Sequence, residues 1–148
     1  MTGQTAERCV IVVDADLAPG LAANAAAVLA LTLGATVDGL VGADLVDADG
    51  EAHPGLIPIG LPVLGAPREL LSELRARATR AGVGVVDFPV FGQQTNYYEE
   101  FRGQVATTPT TDLEYLGLAL HGSRRAVSRV TGTLPLLGRS SRSASRAA

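Results

Sequence analysis

Residues 9–33, CVIVVDADLAPGLAANAAAVLALTL, constrain the fold of this chain more than any other stretch. Cys9-Val10-Ile11-Val12-Val13 is an unbroken apolar run in which four of five side chains are β-branched. A run without alternation is the pattern of a strand buried on both faces, so layers are required on both sides of its sheet. Asp14 and Asp16 follow on one side of the chain, roughly 7 Å apart if it stays extended. Pro19-Gly20 then turns into a helix over 21–33 whose only polar residues are Asn24 and Thr32, with Gly34 where a C-terminal cap belongs. Such a helix needs cover on nearly every side, from the sheet, a neighbouring helix or a second copy, and a homo-oligomer, in its simplest form a dimer, is expected. It is shorter than the about 20 apolar residues that cross a bilayer. The N-terminus MTGQTAERC has no basic segment leading into an apolar one, so no signal peptide and no membrane partner are expected, and a cytoplasmic location follows.

A chain of 148 residues suits one domain, over 1–137, with an Arg/Ser-rich tail at 138–148 that has nothing to bury and is expected to be disordered. Only 4% of residues are aromatic against 47% hydrophobic, so the core must be packed from Ala, Val and Leu. All twelve basic residues are Arg and three lie in the tail, leaving nine against fifteen acids in the body. An acidic body disfavours general binding of nucleic-acid phosphates. The absence of Lys removes Schiff-base and lysine-base mechanisms, and with the high Ala and Gly content it suggests a G+C-rich bacterial source. Cys9 is the sole cysteine, which excludes an intrachain disulfide and a Cys-rich metal site. No metal and no cofactor are expected.

Further along, Asp49-Gly50 is a turn signal. Residues 56–64 contain Pro58 and Pro62 and predict an edge strand or a loop ending in one. Pro67 opens an amphipathic helix over 67–81, with Leu70, Leu71, Leu74 and Ala78 inward and Arg75, Arg77 and Arg80 outward. A buried strand follows at 83–88, then a loop over 89–95. Asn96 and Glu99 fit a capping box for a short helix to about residue 105. After a polar connector, 113–120 predicts a central strand, and Ser123 caps a last helix over 124–130. The order predicts an α/β protein, a three-layer α/β/α sandwich around a small mixed sheet.

Two stretches resemble the type II peptidyl-tRNA hydrolase superfamily. One is the strand, Asp16-Leu17 and the small-residue helix starting Ala22-Ala23-Asn24; the other is Gly122-Ser123 through Val127, Val130-Thr131-Gly132 and the leucines to Leu137. Over roughly 9–137 the chain is still more similar to the domain of unknown function 2000 family, through VVDADL…GLAANAAAVLALTLG, the His53-Pro54-Gly55 step, the long middle helix and TGTLPLL. The resemblance implies a type II peptidyl-tRNA hydrolase-like fold and brings no function from the nearer family. Where the hydrolases carry a Lys, a Gln and a His, this chain has Gly20, Asn24 and Ala27. Peptidyl-tRNA hydrolysis and a tRNA partner are accordingly disfavoured.

Candidate chemistry concentrates around the first helix. Asn24 is a lone amide in its first turn, where N–H groups and the dipole favour an anionic or carbonyl ligand, or it bonds the preceding loop. Asp14 and Asp16 are a carboxylate pair for acid–base work or a divalent ion, or, the commoner use of such a pair, Asx-type caps that organise the turn. His121 faces the same crevice if the last strand runs parallel to the first, and the opposite end if antiparallel. Thr95 and Tyr97, from a polar–aromatic loop, and Gly20, at the helix start, complete the ligand-binding set. Arg125 and Arg129, one turn apart, are candidate phosphate ligands or a solvated face. Three functions remain: a small polar or anionic ligand bound by a divergent, hydrolase-like domain, which is favoured; acyl-ester hydrolysis on a tRNA; and a non-catalytic oligomeric module built on the first helix.

Overall fold

Strand β1 (Arg8–Asp14) takes an inner position because its side chains from Cys9 to Val13 are all 1% exposed or less. A computed structural model of the chain describes residues 6–139, so most of the tail expected at 138–148 lies outside the described residues. After β1 come α1 (Pro19–Thr36), the short strands β2 (Leu45–Val46) and β3 (Ala52–His53), β4 (Val63–Ala66), α2 (Arg68–Arg80), β5 (Gly84–Pro89), α3 (Tyr98–Ala106), β6 (Tyr115–Gly122) and α4 (Arg124–Thr131). Single 3-10 turns lie at Val90–Gln93 and Thr110–Asp112.

The four-stranded sheet has the order β4-β1-β6-β5. β4 is parallel to β1, whereas β6 is antiparallel to both β1 and β5, which places Cys9 opposite His121 and Val13 opposite Gly117. The sheet is therefore mixed, and the crossover from β1 to β4 carries α1. Segment 135–137 lies along the free edge of β4: Gly65 donates to the Pro135 carbonyl and Leu137 to the Val63 carbonyl, both at 3.0 Å. That cover answers the need of an edge strand for partners.

Alternation along β1 divides the interior into two cores. Cys9, Ile11 and Val13 pack with Ala22, Ala25, Leu29 and Leu33 of α1. Val10 and Val12 pack with Leu71, Leu74 and Ala78 of α2 and Val127 and Val130 of α4. Three layers result. Each fully buried large side chain contributes about 1.5–3 kcal/mol by leaving water. Close approach of α1 depends on Gly117, where a Cβ would stand 2.8 Å from the Val12 carbonyl and 3.0 Å from a Leu29 methyl.

Several local expectations change. α1 runs two residues earlier and three later than the apolar run, straight through Gly34. Thr36 Oγ1 donates to the Thr32 carbonyl at 2.9 Å, and the helix ends at Val37, whose N–H bonds Leu33. Full cover of α1 is also not seen among the described residues, where only Ala22, Ala25, Leu29 and Leu33 of the helix are buried. Leu21 is 47% and Leu31 78% exposed. By length and composition α1 is apolar enough to cross a membrane, yet its buried stripe makes it a core helix on the sheet. The Asn96–Glu99 capping box does not form. α3 begins at Tyr98, no side chain caps it, and Glu99 instead pairs with Arg102 at 3.0 Å. β5 is an edge strand with only Phe88 and Pro89 buried, and β6 starts and ends two residues later than the predicted central strand. Arg75, expected outward, turns back to Asp87 at 2.7 Å and lies over the Tyr115 ring. The Ser123 cap is as expected: its Oγ accepts from the Ala126 N–H at 3.2 Å.

Candidate functional site

β1 and β4 end side by side, and the chain leaves β1 through a turn built on Asp14. Asp14 is buried, its side chain 5% exposed. Its Oδ1 accepts from the Asp16 N–H at 2.9 Å, and its Oδ2 accepts from Arg68 Nε at 2.7 Å. Both oxygens are thus engaged, one in an Asx turn and one in an ion pair with the first residue of α2. A carboxylate so held positions the turn and is not free to take a proton from a substrate. Asp16 itself is exposed and enters the turn through its backbone.

Beyond the turn, Ala18 gives its carbonyl to the Ala22 N–H at 2.9 Å and no side chain caps α1. The N–H groups of Gly20 and Leu21 have no acceptor among the described residues. No acid lies in this first turn. The positive end of an 18-residue helix is therefore open to an anionic or carbonyl oxygen. Beside it lies a cleft of about 390 Å³ lined by Ala15, Leu17, Pro19, Ala22, Ala23, Ala26, Val63, Leu137 and Gly138. Its walls are apolar because one face of α1 carries alanines at 22, 23 and 26, leaving the space that larger side chains would fill.

Asn24 lies in the second turn, since α1 begins at Pro19. It is exposed, and its Oδ1 accepts from Gln93 Nε2 at 3.2 Å, while Gln93 Nε2 also donates to the Leu21 carbonyl at 2.9 Å. Asn24 and Gln93 thus tie the 3-10 turn to α1. Thr95 Oγ1 donates to the Phe91 carbonyl at 3.0 Å and closes the same loop. Tyr97 is 75% exposed just before α3, while Tyr98 stacks edge-on with Phe101. Gly20 stands in open space at the helix start.

His121 is not in this region. Because β6 is antiparallel to β1, it pairs with Cys9 and Gly84 at the other end of the sheet. Its ring occupies the volume that a side chain at position 84 would take. Burial pushes its imidazole pKa below the ordinary value, which favours the neutral ring. Ala6, Glu7, Gly82, Gly84, Gly122 and Ser123 line a pocket of about 330 Å³ around it. Arg125 is exposed on α4, and Arg129 groups with Arg77 and Arg80 of α2 rather than with the α1 cleft. Cys9 is buried, and burial raises its thiol pKa, so it packs as a small hydrophobe. His53 bonds Asp47 at 3.1 Å within the β2–β3 hairpin. Among the described residues no cluster of three or more His, Cys, Asp or Glu stands ready for a metal ion.

The sequence reading missed Arg68, and it placed the 93–97 loop beside Asn24 without foreseeing the Gln93–Asn24 bond itself. Neither contact carries a local signal: Arg68 is 54 residues from Asp14, and Gln93 is 69 from Asn24. The cleft did have a signal, the alanine face at 22, 23 and 26 next to an uncapped helix start.

A family model described as "Protein of unknown function (DUF2000)" matches residues 7–138. No curated protein matches the chain. The fold is similar to the solved structure of a protein of unknown function from Agrobacterium tumefaciens strain C58, with a TM-score of 0.79 at 19% sequence identity. The likeness covers 87% of this chain and 96% of that one. At that identity it shows the fold alone.

Proposed function

We propose that this chain, which belongs to the DUF2000 family of proteins of unknown function, binds a small molecule with an apolar body and a carbonyl or anionic head. The observation that carries the reading is the contact of two unlike surfaces: an apolar cleft and a helix start with free N–H donors. The cleft is large enough for a small organic ligand, whose sites generally combine apolar walls with a few polar anchors. Asp16, exposed on the turn beside the cleft, would choose among heads by repelling some anions and accepting from neutral donors. Binding without turnover is favoured over ester hydrolysis. Asp14 is held by Arg68, Asn24 is engaged by Gln93, and Gly20 and Ala27 offer neither an amine nor an imidazole.

The type II peptidyl-tRNA hydrolase-like fold, one domain over 1–137, and a cytoplasmic location remain parts of this proposal. The first is supported by the position of the small-residue helix directly after β1 and by the TGTLPLL segment lying against β4.

The test is a thermal-shift and NMR screen of short aliphatic carboxylates, esters and amides against wild-type protein and Ala26→Phe. Filling the cleft should weaken binding about tenfold or more with the circular dichroism spectrum unchanged. No binder in the panel, or equal binding by the variant, overturns the reading. Cleavage of a model peptidyl-tRNA that Asn24→Ala abolishes would put hydrolysis in its place.

A second reading rests on the outer face of α1. Leu21, Val28 and Leu31 are exposed on a helix that has no charged residue. Two copies can therefore pair through it without burying a charge, which is the proposed homodimer.

A further inference from the structure

On the face of the sheet opposite α1, positive side chains gather at the ends of two helices. The last turn of α2 and the last turn of α4 meet at a depression of about 350 Å³ lined by Arg77, Arg80, Ala81, Arg129 and Val130. Three guanidinium-bearing side chains and two apolar residues form it, with no acid among them.

These arginines differ from the paired ones on the described body, and unlike Arg8, Arg124, Arg125 and Arg139, which also have no ion pair there, they share one depression. Arg68 is paired with Asp14 and Arg75 with Asp87 at 2.7 Å, and Arg102 is paired with Glu99 at 3.0 Å. Arg77, Arg80 and Arg129 have no ion pair among the described residues, although Glu73 stands one turn before Arg77 on α2. Arg125 stands one turn before Arg129, a like-charge spacing that weakens a helix unless an anion screens it. The sequence as a whole carries a net charge of −3, so composition alone does not put positive charge here. Helix dipoles account for a cation near each C-terminus. What the dipoles leave open is why three such side chains line one depression.

We propose that Arg77, Arg80 and Arg129 form a binding site for a phosphate-bearing small molecule, the guanidinium forks holding phosphoryl oxygens and Ala81 and Val130 supporting the rest of the ligand. Guanidinium groups suit phosphate because two parallel N–H donors match two of its oxygens. A small ligand fits better than a nucleic acid. The patch is one depression wide, and an extended phosphate backbone would run on to a body with an excess of acids. This site is separate from the α1 cleft, and either proposal stands if the other fails.

The experiment is calorimetric and NMR titration of the full chain with inorganic pyrophosphate, with orthophosphate and chloride as controls, at about 150 mM salt. The variants are Arg80→Gln with Arg129→Gln, and Arg124→Gln on the same α4 helix but outside the depression. Pyrophosphate should bind with shifts confined to the ends of α2 and α4, and the double variant should weaken it at least tenfold while Arg124→Gln leaves it within twofold. Absence of binding, equal binding by the double variant, or equal loss in Arg124→Gln overturns the site. A short RNA duplex that binds more tightly than pyrophosphate and is lost with the same double variant also overturns it, in favour of a nucleic-acid surface.

Discussion

The two helical layers bury similar stripes against one sheet and present opposite surfaces to solvent. α1 packs Ala22, Ala25, Leu29 and Leu33, and α2 packs Leu71, Leu74 and Ala78. Outward, α1 shows Leu21, Val28 and Leu31, whereas α2 and α4 show charges, Glu69 and Glu73 early on α2 and Arg77, Arg80, Arg125 and Arg129 toward the end of α2 and along α4. The inner stripes follow from what the sheet demands and carry the fold. Packing does not dictate the outer faces, so the uncharged face of α1 and the arginine-lined ends of α2 and α4 are where partners and ligands are to be sought.

The largest expected effects fall on the inner stripes. Leu29 and Leu71 are both 0% exposed, one in each core. Leu29→Ala and Leu71→Ala should each cost about 2–5 kcal/mol, measured by urea unfolding, because each leaves a cavity as well as losing apolar burial. Comparable losses would show that the two cores share the work. A loss confined to Leu71→Ala would break the comparison and make α1 a dispensable cover.

The inner stripe of α2 was legible before the structure because it is periodic, whereas that of α1 was hidden in a helix apolar on nearly every side. The uninterrupted run of β1 announced two cores, and the spacing of Leu71, Leu74 and Ala78 announced the buried face of α2. Ser123 was legible as a cap for a local reason, its hydroxyl reaching the N–H three residues on. What stayed hidden is non-local. The direction of β6 has no signature in β6, since a strand buried on both faces looks the same parallel or antiparallel. That direction decides that His121 is far from Asp14. Likewise the Asp14–Arg68 pair turns an apparent acid–base candidate into a structural tie across 54 residues. The end of α1 was misjudged because Gly34 costs a helix only about 1 kcal/mol, which the flanking turn and the Thr36 hydroxyl bond offset. Of the candidate site, the helix start and its alanine face were readable, and the convergence of Arg129 with Arg77 and Arg80 was not.

A middle-sized effect sharpens the contrast between the outer faces. Leu31 is 78% exposed, so Leu31→Glu should change the stability of one copy by no more than about 0.5 kcal/mol. If α1 pairs with itself, two such carboxylates would meet at a face that is otherwise free of charge. Sedimentation velocity should then show wild-type dimer and variant monomer at the same concentration. Identical sedimentation of the two proteins would leave the apolar face without a self-partner.

The smallest effect concerns the end of the sheet that neither helix layer covers. His121 has a pKa pushed down from its ordinary 6.5 by burial, with Glu7 the other titratable group lining its pocket. A depressed pKa in the folded protein means that the unfolded chain binds the proton more readily over that interval. Stability is therefore fully present above about pH 6.5 and falls as the pH drops toward the folded value. Urea midpoints at about pH 7.5 and 5.5 should fall less in His121→Gln than in wild type, since the variant has no ring to charge. The glutamine also keeps a polar group above Gly84, which limits the cost of packing. If wild type and variant lose the same amount on acidification, the ring is solvated in both states. The pocket between β5, β6 and the start of α4 would then be more open than the close fit of imidazole on Gly84 implies.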